Sequence, residues 1–421
     1  MTQSGRGFER NDQGSATFGG VELQRLLAKS RCSTPVYFYD LSGIESQVRS
    51  LSEAFGSASH LIAYAVKANS SASVIRTITE AGAGVDAVSG GELMLARHLG
   101  VPSRKIVLSG VAKRDDEIDL ALAEDLLALQ CESVGELSRV AERAKLQGTR
   151  ARVSIRINPS VEIDSHSHIA TGHDAAKFGT ALRDLPVAFS LIAERSTHLS
   201  LVGMSTHVGS MLKKPNAYLD SARAVCVCAR DALTQGHHLE YVDFGGGFGI
   251  DYGDGPAAPP AQFATQALAL LNEEGLGNLK LVVEPGRSLV GAFGILVSKV
   301  IQEKSSGQRR WLMIDAGMND LLRPALYQAS HRIEDIDVPP GTTEYQVVGP
   351  VCESTDDFGP HSFSRIPSYV VLRDAGVYAF TMASEYNARP LPAEVFVKGG
   401  VIVHENPSPG VNAWVESRLR A

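Results

Sequence analysis

Between about residue 60 and residue 290 the chain repeats one unit: a short apolar run with strand character, then a stretch with helical periodicity. The runs fall near 61–66, 83–88, 105–109, 126–131, 151–157, 201–207, 240–244 and 279–284. Helical patterns fill most of the gaps, as from Ser71 to Glu80, Gly91 to His98, Arg114 to Ala123 and Val134 to Lys145. Eight such units in succession fit a (β/α)8 TIM barrel. An open, doubly wound sheet shares the alternation, and the count of eight favours the barrel.

After Arg287 the pattern changes. Ile295 to Ile301, Trp311 to Ile314, Tyr345 to Val348, Ser368 to Arg373 and Val395 to Val403 are β-rich and separated by Pro and Gly turns. Only Asn319 to Gln328 has a helical look. The expected organisation is an N-terminal segment (1–34, with 1–20 loose), an α/β barrel (35–290) and a C-terminal all-β, barrel-like domain (291–421). The early strand from Pro35 to Tyr39 precedes the barrel proper.

A net charge of -7 argues against nucleic acid or an anionic membrane as the main partner. No apolar run is long enough for a membrane span, and Met1 to Gly20 lacks the apolar core of a secretion signal. Five cysteines, at 32, 131, 226, 228 and 352, form no disulfide framework and fit a reducing cytoplasm.

The strand ends carry the chemistry, because a barrel of this kind works at the C-terminal ends of its strands. The first run ends in Lys67. A buried lysine is costly unless its charge is used, and imine formation with an aldehyde uses it. The second strand carries Asp86 and is followed by Ser89; the fifth carries Arg156. The sixth ends in His207-Val208-Gly209-Ser210. The seventh runs into Gly245-Gly246-Gly247-Phe248-Gly249, and the eighth ends in Glu284-Pro285-Gly286-Arg287. A lysine, a histidine, a glycine loop and a Glu/Arg pair suit an imine-forming cofactor that bears a phosphate, namely pyridoxal 5'-phosphate. The loop's backbone N–H groups can cradle the phosphate. A carboxylate at 284 would keep the pyridine nitrogen protonated and the ring electron-withdrawing.

Two rival motifs are weaker. Gly245-x-Gly247 begins a dinucleotide fingerprint, but Ile250 stands where the third glycine belongs. His166, His168 and His173 have metal-like spacing near Asp164 and Asp174, yet they lie in a polar Ser/Gly stretch with no rigid element to fix them. No metal is expected.

The combination of YAVKANS, GVDAVSGGEL, HVGS, GGGFGI, EPGR, MNDLLRPALY, GPVCESTD and YNARPLPAEV resembles the alanine-racemase-type PLP decarboxylases, most closely the diaminopimelate decarboxylase family, over roughly residues 34–400. The resemblance implies decarboxylation of meso-2,6-diaminopimelate to L-lysine at the end of lysine biosynthesis, in a homodimer with shared active sites. It also implies that the strand at 35–39 joins the β domain.

Carried over by motif, Lys67 would hold the cofactor and His207 would stack on its ring. Ser210, Gly245, Gly246, Gly247, Gly286 and Arg287 would surround the phosphate, with Pro285, Asp86 and Arg156 also among the cofactor-binding residues. Glu284 would meet the ring nitrogen, and Tyr386 would reach cofactor and substrate. Cys352 and Glu353 would enter from the partner subunit, with Cys352, or a group it positions, protonating the product carbon.

The substrate presents a carboxylate and an ammonium at its unreacted end. Arginine's planar fork suits the carboxylate, so Arg323 and Tyr327, with Arg287, are the candidates there. Glu353 is the candidate for the ammonium.

The chain departs from the family pattern at Thr355, where glycine is usual, at Val377 and Ala379, and at Glu385. Thr355 beside Glu353 could narrow the pocket. Other substrates of the same chemistry stay open at this stage: ornithine, arginine, carboxynorspermidine or a carrier-bound glutamyl group. A racemase would place arginine at the ring nitrogen, where Glu284 stands. A non-catalytic PLP carrier would lack the second domain.

Overall fold

The computed structural model describes residues 7–159 and 177–420. These form two compact units. One comprises 48–250 with 257–288; the other comprises the described residues up to 47, then 251–256 and the chain from 289 on.

The first unit is built on eight parallel strands. They are β1 (His60–Ala65), β2 (Gly84–Ala87), β3 (Ile106–Leu108), β4 (Ala128–Cys131), β5 (Ala151–Asn158), β6 (Leu199–Thr206), β7 (Tyr241–Gly246) and β8 (Lys280–Glu284). Each pairs with the next in sequence, and β8 returns to β1 through Val283 opposite Ile62, which closes the barrel. The strands form where apolar and β-branched residues run together, and β2, β3 and β4 are buried throughout. Leu61, Ala63, Val107, Ala128, Val202, Tyr241 and Val282 pack into one interior cluster. Gly203 is required there, because a Cβ would overlap the Tyr241 ring.

Helices follow most strands. The ones after β2 and β4 begin alike. Ser89 and Ser133 cap them by accepting from the N–H of Glu92 and Glu136, three residues on. A short strand, Thr180–Ala181, adds to the end of β5.

The second unit is mainly β. Its longest strand, β9 (Gly294–Ser306), pairs antiparallel with β10 (Arg309–Ile314) and with the early strand Val36–Asp40. Val36–Asp40 pairs on its other side, in parallel, with Ala393–Lys398. All five of its residues are buried, and Val36 and Phe38 join Ile295, Val297, Val371, Val395 and Val397 in the core.

Several expectations need correction here. Residues 7–20 are not loose: Phe8–Arg10 and Ala16–Phe18 pair antiparallel, and Phe8 and Phe18 enter the core. Each buried phenylalanine contributes about 2–3 kcal/mol. The helix expected at 319–328 is only Arg323–Tyr327, because Asn319 and Asp320 belong to a turn in which Asp320 caps Gly317 N–H. The run 395–403 is a hairpin of two strands, Ala393–Lys398 and Val401–Asn406, turned by Gly399 and Gly400. The strand Asp357–Phe363 and the helix Gly410–Leu419 were not anticipated.

Glu334 fastens the N-terminal hairpin to this sheet. Its two oxygens accept from Arg10 at 2.8 and 3.0 Å and from Arg373 at 2.8 Å. Burial works to raise the carboxyl, but the hydrogen bonds of Arg373 and Arg10 outweigh it and hold the group below its usual range. A carboxylate lowered in the fold stabilises fully above its unfolded pKa and loses that contribution as pH falls through its folded value. Glu334→Gln is therefore expected to destabilise this unit by about 2 kcal/mol at neutral pH. Denaturant melts of both proteins should converge as the pH is taken below the usual glutamate range.

Candidate active site

Lys67 lies just past β1, in the single turn Val66–Ala68. The pairing of Ala65 with Asp86 brings β2 alongside, and Lys67 Nζ sits 2.9 Å from Asp86 Oδ2. Asp86 is fully buried while the lysine side chain keeps about a third of its surface exposed. The lysine is thus held by a buried carboxylate and still partly accessible. Asp86 Oδ1 has no hydrogen-bond partner among the described residues.

The ends of β6, β7 and β8 are drawn together by glycine. Gly245 and Gly247 have φ of +72° and +91°, a region that favours glycine. Side chains at 245, 246 and 247 would overlap the carbonyls of Thr206, Glu284 and Gly209 respectively. The loop therefore presents bare backbone. Gly246 N lies 3.2 Å from His207 Nδ1, and Glu284 Oε2 lies 3.4 Å from the same nitrogen. One protonation state cannot serve both. A neutral Nδ1 accepts from Gly246, and a protonated Nδ1 donates to Glu284.

Arg287 Nη2 donates to Ser210 Oγ at 3.1 Å, joining the end of β8 to the segment after β6. Pro285 O accepts from Ala65 N at 3.1 Å, and Gly286 leaves no side chain against Ala65 and Ala68. Arg156 is held differently. Its Nη1 donates to Glu132 and its Nη2 to the His207 carbonyl, each at 3.1 Å. Glu132 also accepts from Gly179 N at 2.6 Å. Arg156 thereby braces the backbone that carries His207.

Glu284 is buried. Burial alone would raise it, but the hydrogen bond and charge of His207, the charge of Lys67 and a bond from Asp243 hold it down to about 2. The mouth thus contains a buried anion facing a histidine and a lysine.

The remaining candidates belong to the β unit. Arg323 is buried and donates from Nη1 to His331 Nε2 at 2.7 Å. An arginine only donates, so Nε2 accepts; the ring's other nitrogen, 2.8 Å from the Arg373 carbonyl, then carries the proton. His331 is neutral in this arrangement, so it orients Arg323 without cancelling its charge. Tyr252 lies against the guanidinium, 4.5 Å from its ring centre. Tyr327 is half-buried. In a second cluster the Tyr386 hydroxyl donates to Glu353 Oε1, and Cys352 N donates to Asn387 Oδ1 at 2.8 Å, with Cys352 exposed.

Sequence reasoning missed Asp243, Glu132, His331 and Tyr252. Asp243 read as part of an apolar strand, and the other three sit in segments without a motif. His166, His168 and His173 lie outside the described residues. Among the described residues no group of His, Cys, Asp and Glu is arranged to hold a metal, and no helix is long and apolar enough to cross a membrane.

Residues 41–291 match the family model for the pyridoxal-binding domain of pyridoxal-dependent decarboxylases, which defines the class. The diaminopimelate decarboxylase of Zymomonas mobilis is 38% identical over 372 residues, covering 87% of this chain and 88% of its own. That of Aquifex aeolicus is 37% identical over 394 residues, covering 91% and 90%. The crystal structure of the M. jannaschii enzyme in complex with L-lysine superposes with a TM-score of 0.91 at 30% identity, covering 99% of this chain and 98% of that one. The chain belongs to the diaminopimelate decarboxylase family, PLP-dependent carboxy-lyases.

The mouth fits that cofactor. It offers an amine at Lys67, a turn at 245–247 free of side chains with Ser210 and Arg287 for a phosphate, and a buried carboxylate at 284 for a protonated ring nitrogen. Gly247→Ala is expected to weaken PLP binding by the apoenzyme about tenfold, roughly 1.4 kcal/mol, through strain at positive φ and overlap with Gly209. Absorbance titration with PLP checks this; unchanged affinity would show that the loop geometry is dispensable.

Proposed function

We propose that the barrel mouth, with the Arg323 and Cys352–Tyr386 clusters, decarboxylates meso-2,6-diaminopimelate to L-lysine and CO2. The observation that carries the chemistry is the pairing of an amine, Lys67, with a buried carboxylate, Glu284, on one set of strand ends. An electron-withdrawing ring is what loss of CO2 needs, and an anion at the ring nitrogen preserves it. The substrate rests on family membership and on Arg323, a buried cation oriented for an anion.

When bound, PLP supplies an aldehyde that condenses with amines and a protonated ring that accepts the electrons left as CO2 departs. Lys67 Nζ, oriented by Asp86 Oδ2, would be the amine that holds the cofactor. Glu284, held as an anion, would keep the ring nitrogen protonated. His207, held by Gly246 N at Nδ1 and by Arg156 on its carbonyl, would pack against the ring. The side-chain-free turn at Gly245–Gly247, with Ser210 and Arg287, would hold the phosphate.

Arg323 and Tyr327 bind the substrate's distal carboxylate by charge and hydrogen bonds. Glu353, poised by Tyr386, takes the distal ammonium. Cys352, or a group it positions, delivers the proton to the product carbon. We infer a homodimer in the cytoplasm, with Cys352 and Glu353 completing the partner's site and with no nucleic-acid partner.

The deciding assay offers the PLP-loaded protein meso-diaminopimelate, ornithine, arginine and lysine separately and measures CO2. Release from diaminopimelate alone, with L-lysine formed, is expected. Release only from another amine would keep the chemistry and overturn the Arg323 assignment.

His331→Leu removes the acceptor that orients Arg323. It should raise KM for diaminopimelate about tenfold, the worth of roughly one charge-assisted hydrogen bond, and leave kcat nearly unchanged. His331→Gln, which keeps an acceptor, should restore much of the loss. Steady-state kinetics of the two variants test this.

A further inference from the structure

On β7, the strand paired with that of Glu284, stands a second, fully buried carboxyl group, Asp243. Its Oδ1 accepts from Gly245 N at 2.8 Å. Its Oδ2 has no donor among the described residues, and neither has Glu284 Oε1. Asp243 lies opposite Val282, and Gly246 opposite Glu284, so the two carboxyl groups project from paired strands as diagonal neighbours. Two acceptors cannot bond without a proton between them. If both groups were ionised, two like charges would lie side by side in the barrel interior, each with an unsatisfied oxygen.

The surroundings do not supply an alternative. Asp86, on β2, adds a further negative charge. Tyr218, from the helix Asn216–Thr234, and Tyr241, on β7 itself, are buried phenols pushed up by burial, so they stay neutral. The charge of Lys67, and that of the His207 ring when protonated, act on Glu284. The proton therefore belongs on Asp243 and the charge on Glu284.

We propose that Asp243 is a permanently protonated positioning residue, donating from Oδ2 to Glu284 Oε1 and so fixing Glu284 as an anion whose other oxygen is turned to the mouth. This rests on the reading of Glu284 as the partner of the ring nitrogen, and it adds the reason that Glu284 stays charged where it is. Burial and the charge of Glu284 push Asp243 well above the usual carboxyl range, consistent with this geometry. A neutral acid held as a donor in an apolar site is an established device in enzymes. The same side chain fixes the turn at Gly245, so one residue ties the anion to the glycine loop.

The test compares Asp243→Asn and Asp243→Leu in the full-length protein, with and without PLP. An amide can accept from Gly245 and donate to Glu284; leucine can do neither. Infrared difference spectra at neutral pH should show the carbonyl stretch of a protonated carboxyl, sensitive to deuterium exchange. It should be lost in both variants and retained in Glu353→Gln. Asp243→Asn should keep kcat within about threefold and keep the cofactor's absorption spectrum unchanged across pH, whereas Asp243→Leu should lose at least about tenfold in kcat, with that spectrum shifted.

No protonated-carboxyl band in the wild type, or an Asn variant as impaired as the Leu variant, would overturn the proposal. Failure of the underlying reading is distinguishable: Glu284→Gln would then decarboxylate normally while the Asp243 band persisted.

Discussion

The return of β8 to β1, through Val283 on Ile62 and Pro285 O on Ala65 N, is the constraint on which the site depends. Closing eight parallel strands places every C-terminal strand end on one face. Lys67 then stands beside Asp86 on one neighbour and near the turn at Gly286 on the other. No residue between 67 and 284 needs to be close in sequence for these groups to meet. The glycines at 245–247 serve the same closure, since side chains there would force β6, β7 and β8 apart.

Much of this was legible in the sequence because it rests on period and position. All eight barrel strands were found within a few residues, and so was the lysine that follows the first. The reason is physical: strands buried on both faces are continuous apolar runs, and the catalytic face of a barrel is determined by chain direction. The glycine loop was legible because its composition has few other uses.

What escaped notice depended on tertiary context. Phe8 and Phe18 flank a polar turn and become core only because the sheet of the second unit receives them. Asp357–Phe363 contains Gly and Pro and forms a strand at the edge of its sheet, where a missing donor is tolerated. Asp243 carries no motif, and its meaning comes from Glu284 on the neighbouring strand. His331 lies eight residues beyond Arg323, past the end of a five-residue helix, so no periodicity links them. Pattern reveals which elements exist; it does not reveal which buried polar groups face one another.

The strand Val36–Asp40 has a consequence for how the chain is made. It leaves the ribosome early, but its neighbours on both sides, Gly294–Ser306 and Ala393–Lys398, come only after the whole barrel has been synthesised. Its five buried residues include Val36, Tyr37, Phe38 and Tyr39, an apolar segment with nothing to pair with in the meantime. The barrel strands, by contrast, meet their partners in the order of translation, apart from the last. Vectorial synthesis thus leaves one sticky strand exposed for most of the chain's production, and long-range pairing of this kind is slow and open to aggregation. The need for chaperoning falls on residues 36–40.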